Sequence, residues 1–372
     1  MKVVVPRETG DGETRVAAVP DSVVKAVAAG MEIAIEAGAG ESANFSDHDY
    51  ESAGARVISE PDELYRDARV VLRVQPPSPD EVAQIPRGAV LVGILQATRN
   101  PEVLDQLAAA GVTGFAMELI PRISRAQSMD VLSSQASIAG YKAVVEGAGR
   151  LDKILPLQIT AAGTLAPGRV FVLGAGVAGL QAIATARRLG AVVEAFDVRP
   201  AVREEVESLG AKFIEVALEN AEGKGGYARE QSEEQLRRQR ELLGERVAAA
   251  DLVITTAAIP GRRAPLLITK EMVSAMRPGS VVVDLAADSG GNCEATVAGE
   301  VVLADSVTIV GTKDLARTVP HHASQTYSRN LTNLLISLYK DGELVIDFDD
   351  EVVGAICVTH DGKVLYGKEK DA

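Results

Sequence analysis

"RVFVLGAGVAGLQAIATARRLGAVVEAFDVR", Arg169–Arg199, reads as strand, glycine-rich turn, helix and strand in one short stretch. VFVL has the length of a buried strand, the next residues carry apolar positions at helical spacing, and VVEAF is extended again. Between the first strand and the helix stand Gly174, Gly176 and Gly179, and the second strand ends on Asp197, 18 residues past Gly179. A GxGxxG spacing alone says little; in a strand–turn–helix–strand context each glycine has a physical task. Gly174 permits the tight turn, Gly176 lets backbone approach a pyrophosphate, and Gly179 lets helix and strand pack closely. The helix that starts at Val177 offers free N–H groups and the positive end of its dipole to phosphate.

A carboxylate at Asp197 accepts hydrogen bonds from ribose hydroxyls and repels a 2′-phosphate, which favours NAD(H) over NADP(H). Val198 and Arg199 follow it at the adenosine end. An arginine there is either a 2′-phosphate acceptor, a surface residue or a neighbour of the adenine. The plainer use of the whole motif is a βα turn in an α/β domain without a cofactor.

Working outward, the chain has 372 residues, about right for two domains. Aromatic residues make up 3% and Trp is absent, so the cores are aliphatic, as in helices packed on parallel sheets. A net charge of −14 argues against nucleic acid or an anionic membrane as a bulk partner. Cys293 and Cys357 stand far apart without CxxC spacing, so neither a disulfide framework nor a zinc site is indicated, and no metal is expected; a reducing, cytoplasmic setting fits. The opening "MKVVVPRETGDGETRVA" is a strand followed by polar residues rather than a signal peptide, and no apolar run reaches the ~20 residues that span a bilayer.

Upstream, "KVVVP", "EIAIEAG", "RVVLRVQPP", "AVLVGIL" and "GVTGFAM" read as strands separated by helical segments such as "PDSVVKAVAAG", which predicts βαβ units and a parallel sheet. Ser133–Ala148 reads as a longer helix with a small-residue face of Ala136, Ala139, Gly140, Ala143, Val144 and Gly147, and "AAGTLAPG" as a loop. A second βαβ series runs from "RVFVLGAG" to "VTIVG". A helix then starts near His321, and "GELVIDFDDEVVGAICVTHDGKVLYG" reads as strands with an Asp-Gly turn. The stretch "ENAEGKGGYAREQSEEQLRRQRELLGERVAAA" reads as an exposed loop followed by a surface helix. The fold class is therefore α/β with two Rossmann-like parallel-sheet domains. Residues 129–324, the nucleotide-binding domain, are inserted into a discontinuous first domain of residues 1–128 and 325–372.

One stretch is unusually polar. Arg122, Ser124, Arg125, Gln127, Ser128, Asp130, Ser133, Ser134 and Gln135 occupy nine of fourteen positions between a proline and the long helix. Each has a plain use: Ser133 as a helix cap, Asp130 as a cap or ion-pair partner, Arg125 as a solvated charge.

Taken together, "MELIPRISRAQSMDVLSSQASIAGYKAV", "VLGAGVAGLQAIATARRLGA", "GGYARE" and "LAADSGGNCE" give the chain a close resemblance to the NAD(H)-binding component, domain I, of proton-translocating nicotinamide nucleotide transhydrogenases, over essentially its whole length. The resemblance implies direct hydride transfer between NAD(H) bound here and NADP(H) bound by a partner domain, with a separate membrane-spanning subunit carrying the protons. It implies that Arg122 holds the nicotinamide end, that Gln127 reaches the ribose of the opposing NADP(H), and that Asp130 and Ser133 complete the network fixing the carboxamide. Ile123, Ser124 and Arg125 would line the nucleotide, and Gly226 and Tyr227 would belong to a loop that folds over it. The chain would be a separately encoded soluble subunit at the cytoplasmic face of the inner membrane. It would form a homodimer, for which the C-terminal segment is a candidate exchanged or edge-pairing element.

Alanine dehydrogenase, which shares the two-domain plan, is the rival. It requires a Lys in the stretch matching "RVQPP" and a His in that matching "ILQATRN", where this chain has Gln75 and Gln96. Arg15 and Asp288 match residues of its site, however. A third reading is a non-catalytic NAD-binding module.

Overall fold

The computed structural model describes residues 1–215, 233–258 and 262–367. They form two compact units, residues 1–135 with 317–372, and residues 136–316. The division falls inside the Val131–Ala148 helix, later than the expected 128/129 boundary, and ahead of the Pro320–Leu338 helix rather than at 324/325. Side chains explain the shift. Ser134 Oγ donates to Asn330 Oδ1 and Gln135 Nε2 to the Ala323 carbonyl, which ties the first helical turn into the first unit.

In the first unit, strands β1 (Lys2–Val5), β2 (Glu32–Glu36), β3 (Arg56–Ile58), β4 (Val70–Leu72), β5 (Val90–Gly93) and β6 (Thr113–Ala116) run parallel in the order β3-β2-β1-β4-β5-β6. This is the doubly wound order, with its switch point between β1 and β4. The strands are nearly continuous runs of buried Val, Ile and Leu, as expected of a sheet covered on both faces. Pro20, Pro61, Pro79, Pro101 and Pro320 each open a helix, where a missing N–H costs nothing and φ is already helical. Gly30 follows the first helix with φ +93°.

In the second unit, β7 (Gln158–Thr160) and β8 (Gly163–Leu165) make an exposed antiparallel hairpin where the sequence pattern predicts a loop. Strands β9 (Arg169–Leu173), β10 (Val192–Phe196), β11 (Lys212–Phe213), β12 (Leu252–Thr255), β13 (Val281–Asp284), β14 (Val301–Ala304) and β15 (Val307–Val310) form one sheet in the order β11-β10-β9-β12-β13-β15-β14. Only the β14–β15 pairing is antiparallel. The small-residue face of the Val131–Ala148 helix is set by steric demand. A Cβ on Gly140 would lie 2.1 Å from the Ala178 carbonyl oxygen, and one on Gly147 would lie 2.4 Å from Leu252 Cδ1. The charged Glu233–Ala249 helix is anchored by buried Leu243 and Val247 at i,i+4 spacing.

The chain ends in the first unit with the short hairpin β16 (Tyr339–Lys340) and β17 (Glu343–Leu344), then β18 (Cys357–His360) and β19 (Lys363–Val364). Strand β18 pairs antiparallel with β6 of its own sheet, and β19 lines its outer edge. The C-terminal segment thus pairs with the edge of its own sheet. Asp361 and Gly362, with φ +46° and +73°, form the expected Asp-Gly turn. "EVVGAI", expected as strand, is instead the helix Glu351–Ile356: the Asp350 carboxylate accepts from the Val352 and Val353 amides, and Val352, Val353 and Ile356 are buried. Capping and burial override the β preference of valine here.

Candidate nucleotide-binding site

The glycine turn after β9 has the stereochemistry its sequence demands. Gly174 has φ +100°, and a Cβ there would meet Thr256 Oγ1 at 2.5 Å. A Cβ on Gly179 would lie 1.9 Å from the Gly174 carbonyl oxygen, so the Val177–Arg188 helix can approach the strand only through a glycine. Gly176 differs: φ is −77° and, among the described residues other than its chain neighbours, no atom lies within 4 Å of its missing Cβ. Neither strain nor packing excludes a side chain there, which leaves space on that side for a ligand to meet bare backbone ahead of Val177 and the free helix N-terminus. The residues fit a dinucleotide pyrophosphate.

At the end of β10, Asp197 Oδ2 accepts from the Ala175 amide at 2.8 Å, tying the acid to the glycine turn. Burial alone would push its carboxyl up, but the Arg199 guanidinium and the Ala175 and Arg199 amides outweigh this and hold it below the ordinary aspartate value. Arg199, left open as a phosphate acceptor or an adenine neighbour, forks onto Asp197 at 3.0 Å from both Nε and Nη2. Val198 lies between them at the strand's end.

Asp284, which no sequence motif singled out, organises the loop after β13. It is fully buried and accepts from Thr255 Oγ1, the Ala286, Asn292 and Cys293 amides and Thr296 Oγ1, at 2.7–3.0 Å. An acid closing the apolar run "VVVD" was the available signal. Asp288, in the same loop, is exposed and accepts from the Asp314 amide. Gly226 and Tyr227 lie outside the described residues.

In the first unit the polar stretch follows β6 as a 3₁₀ segment, Ser124–Met129, and then the Val131–Ala148 helix. Ala126 and Met129 point into the core, while Arg122, Ser124, Arg125 and Gln127 are exposed and Ile123 is half-buried against the core. Asp130 caps the helix: Oδ1 accepts from the Ser133 amide at 2.9 Å and Oδ2 from the Ser133 hydroxyl at 2.6 Å. Arg125 forms a two-pronged bond with Asp350, Nη1 to Oδ2 at 2.9 Å and Nη2 to Oδ1 at 2.8 Å. The first unit therefore brings Arg122, Ile123, Ser124, Gln127, Asp130 and Ser133 onto one short segment and directs Arg125 to a carboxylate of its own.

Arg15 lies apart from that segment. Its guanidinium bonds Glu13 through Nε and Nη2 at 2.8 and 2.7 Å and Gln135 Oε1 through Nη1 at 3.0 Å, and the Arg15 and Glu13 side chains are 2% and 1% exposed. Gln75 Nε2 donates to the other side of Glu13 at 2.7 Å. Burial pushes the Glu13 carboxyl up, but Arg15 and Gln75 overcome it and keep the group below its ordinary value. An internal carboxylate thus already holds the arginine that would receive a substrate carboxylate, and a glutamine amide such as Gln75 cannot serve as general acid or base. Among the described residues no cluster of His, Cys, Asp or Glu could hold a metal, and no helix is long and apolar enough to cross a membrane.

Two doubly wound units, one with a complete dinucleotide turn and acid, define a nucleotide-binding α/β protein of the dehydrogenase type. The chain belongs to the alanine dehydrogenase/PNT family: residues 4–139 match the model for its N-terminal domain and residues 143–367 that for its C-terminal domain. It is 48% identical to an NAD(P) transhydrogenase alpha-subunit chain of Rhodospirillum rubrum, over 98% of each chain. Its fold is similar to that of a transhydrogenase from Sinorhizobium meliloti, with 45% identity, a TM-score of 0.87 and 99% of each chain covered. An L-alanine dehydrogenase structure is more distant, at 27% identity with a TM-score of 0.83, covering 99% of this chain and 97% of that one. The chain is thus similar over nearly its whole length to chains of the transhydrogenase alpha-subunit type.

Proposed function

We propose that this chain is the NAD(H)-binding subunit of a proton-translocating transhydrogenase, and that hydride passes directly between NAD(H) held here and NADP(H) held by a partner domain. The observation that carries the reading is the exposed stretch from Arg122 through the 3₁₀ segment: Arg122 and Gln127 are exposed while Ala126 and Met129 are buried, Asp130 and Ser133 are bonded to each other just after it, and it holds no histidine or cysteine. Hydride transfer between two nicotinamide rings needs alignment rather than a proton donor. The bound dinucleotide supplies the hydride at C4 of its nicotinamide; the chain's residues bind and orient. Gly174, Gly176, Val177 and Gly179 would hold the pyrophosphate, Asp197, Val198 and Arg199 the adenosine ribose, and Ile123 and Ser124 the nicotinamide end. Arg122 would hold the carboxamide, and Gln127 would face the second nucleotide. Arg125 acts in this reading through the Asp350 clamp on the segment.

Membrane-spanning subunits would couple the reaction to protons and hold this chain at the cytoplasmic face of the inner membrane. The β7–β8 hairpin exposes Ile159 and Leu165, Ile159 at 76%, with exposed Leu157 just before it, and is a surface we assign to a homodimer. Light scattering should give a dimer for the native chain and a monomer for Ile159→Lys.

The deciding experiment is reconstitution with the NADP(H)-binding domain of a transhydrogenase. NADH-dependent reduction of an NADP analogue is expected, and no rate above that without this chain would favour a non-catalytic NAD-binding module. Gln127→Leu should slow the transfer while leaving NADH binding largely intact. The inward pairing of Arg15 and the amides at Gln75 and Gln96 predict no alanine-dependent NAD reduction; appreciable turnover would overturn the assignment.

A further inference from the structure

We propose that Asn330, in the Pro320–Leu338 helix, is a positioning residue for hydride transfer, a role that rests on reading the 122–133 segment as the nicotinamide site. Asn330 is 7% exposed and bonds the chain on either side of residues 129–133, at Ser128 and at Ser134. Nδ2 donates to the Ser128 carbonyl at 2.8 Å, and Oδ1 accepts from Ser134 Oγ at 2.7 Å. Asn333, three residues further on along the same helix, also donates to the Ser128 carbonyl, at 3.1 Å.

The segment needs such ties. A 3₁₀ run has poorer hydrogen-bond geometry than an α-helix, and here its last internal bond, the Asp130 amide to the Gln127 carbonyl, is 3.4 Å long. Gln127 directly precedes the tethered Ser128 carbonyl, and Asp130 and Ser133 lie between the two tethered points. Asn330 therefore sets the spacing between the end of the 3₁₀ segment and the start of the helix, and with it the placement of all three side chains. The task requires a donor at one end and an acceptor at the other. An amide has both; an ionised carboxylate would set a negative oxygen against the Ser128 carbonyl, and leucine would remove both ties, leaving the Ser128 carbonyl to Asn333 and the Ser134 hydroxyl to the Val131 carbonyl.

The test is the complex reconstituted with a transhydrogenase NADP(H)-binding domain, using Asn330→Asp, Asn330→Leu and, in parallel, Gln127→Leu. At pH 8 both Asn330 variants should lose about tenfold or more in hydride-transfer rate while the Kd for NADH changes less than about threefold, since misplacement by a fraction of an ångström penalises alignment more than binding. On acidification Asn330→Asp should recover relative to the native chain at the same pH, because a protonated carboxyl again offers one donor and one acceptor; Asn330→Leu should not. Rates within about twofold of native for both variants would overturn the proposal, as would parallel losses of rate, NADH binding and melting temperature with no recovery in acid. If Asn330→Leu fails to fold, the acid recovery of Asn330→Asp still decides. A slow Gln127→Leu beside normal Asn330 variants refutes the positioning role alone; a normal Gln127→Leu refutes the site reading and the proposal with it.

Discussion

The guanidinium of Arg199 grips both carboxylate oxygens of Asp197, with Nε 3.0 Å from Oδ1 and Nη2 3.0 Å from Oδ2. The acid that would choose between nucleotides is thus paired with the cation that could reverse the choice. Removing the negative charge should leave Arg199 to face a 2′-phosphate. Asp197→Asn is expected to weaken NADH binding by about tenfold and to shift the NADH/NADPH affinity ratio toward NADPH by at least that factor, corresponding to about 1.4 kcal/mol or more. Fluorescence titration with both nucleotides checks this; an unchanged ratio would remove Asp197 from the ribose site.

Gly176 and Gly179 should separate ligand space from packing space. Gly176→Ala places a methyl where no other described residue beyond its chain neighbours comes within 4 Å, so melting temperature should stay near native while the Kd for NADH rises about tenfold or more. Gly179→Ala drives a methyl to 1.9 Å from the Gly174 oxygen and should destabilise the fold by about 1–3 kcal/mol or more in urea titration. Equal effects of the two substitutions would contradict the assignment of the open side to pyrophosphate.

Glu13→Ala strands the Arg15 charge in the interior of the first unit. Loss of one partner of a buried pair costs about 3–5 kcal/mol, so a large drop in the urea midpoint is expected. Arg15 engages Glu13 with a bidentate fork at 2.7 and 2.8 Å, and the neutral Glu13→Gln should therefore also destabilise, though less. If either variant were as stable as the native chain, Arg15 would not depend on this internal partner.

The clamp between Arg125 and Asp350 carries a pH signature. The Arg125 hydrogen bonds hold the Asp350 carboxyl down at about 2, against slight desolvation and with help from the Val353 and Val352 amides. Because the folded value lies below the unfolded one, the stability this group contributes is full above its ordinary range near 3.9 and is lost as pH falls through about 2. The difference in urea midpoint between the native chain and Asp350→Asn should therefore be largest above pH 5 and shrink toward pH 2. A difference independent of pH would mean that the carboxylate charge is not what matters.

Much of the architecture was legible locally. Strand–helix alternation exposed two parallel sheets, the prolines marked helix starts, and Gly174, Gly176 and Gly179 each have the surroundings that their spacing predicted. The polar stretch from Arg122 to Gln135 runs from an exposed 3₁₀ turn into a helix. Local pattern misled where burial dominates: "EVVGAI" is helical because Asp350 caps it and its valines are buried.

Backbone period, turn chemistry and glycine stereochemistry are properties of a few neighbouring residues, and so the sequence by itself determined the fold class, the dinucleotide turn and the place of the polar segment. Side-chain partnership depends on which distant segments the fold brings together. Arg15 meets Gln135 across 120 residues and Ser128 meets Asn330 across 202, and no local pattern announces either bond. Only the tertiary structure decided that the first arginine is satisfied internally and that the 3₁₀ segment is held from the far end of the chain, because a buried hydrogen bond forms only where packing presents a donor to an acceptor at the right distance and angle.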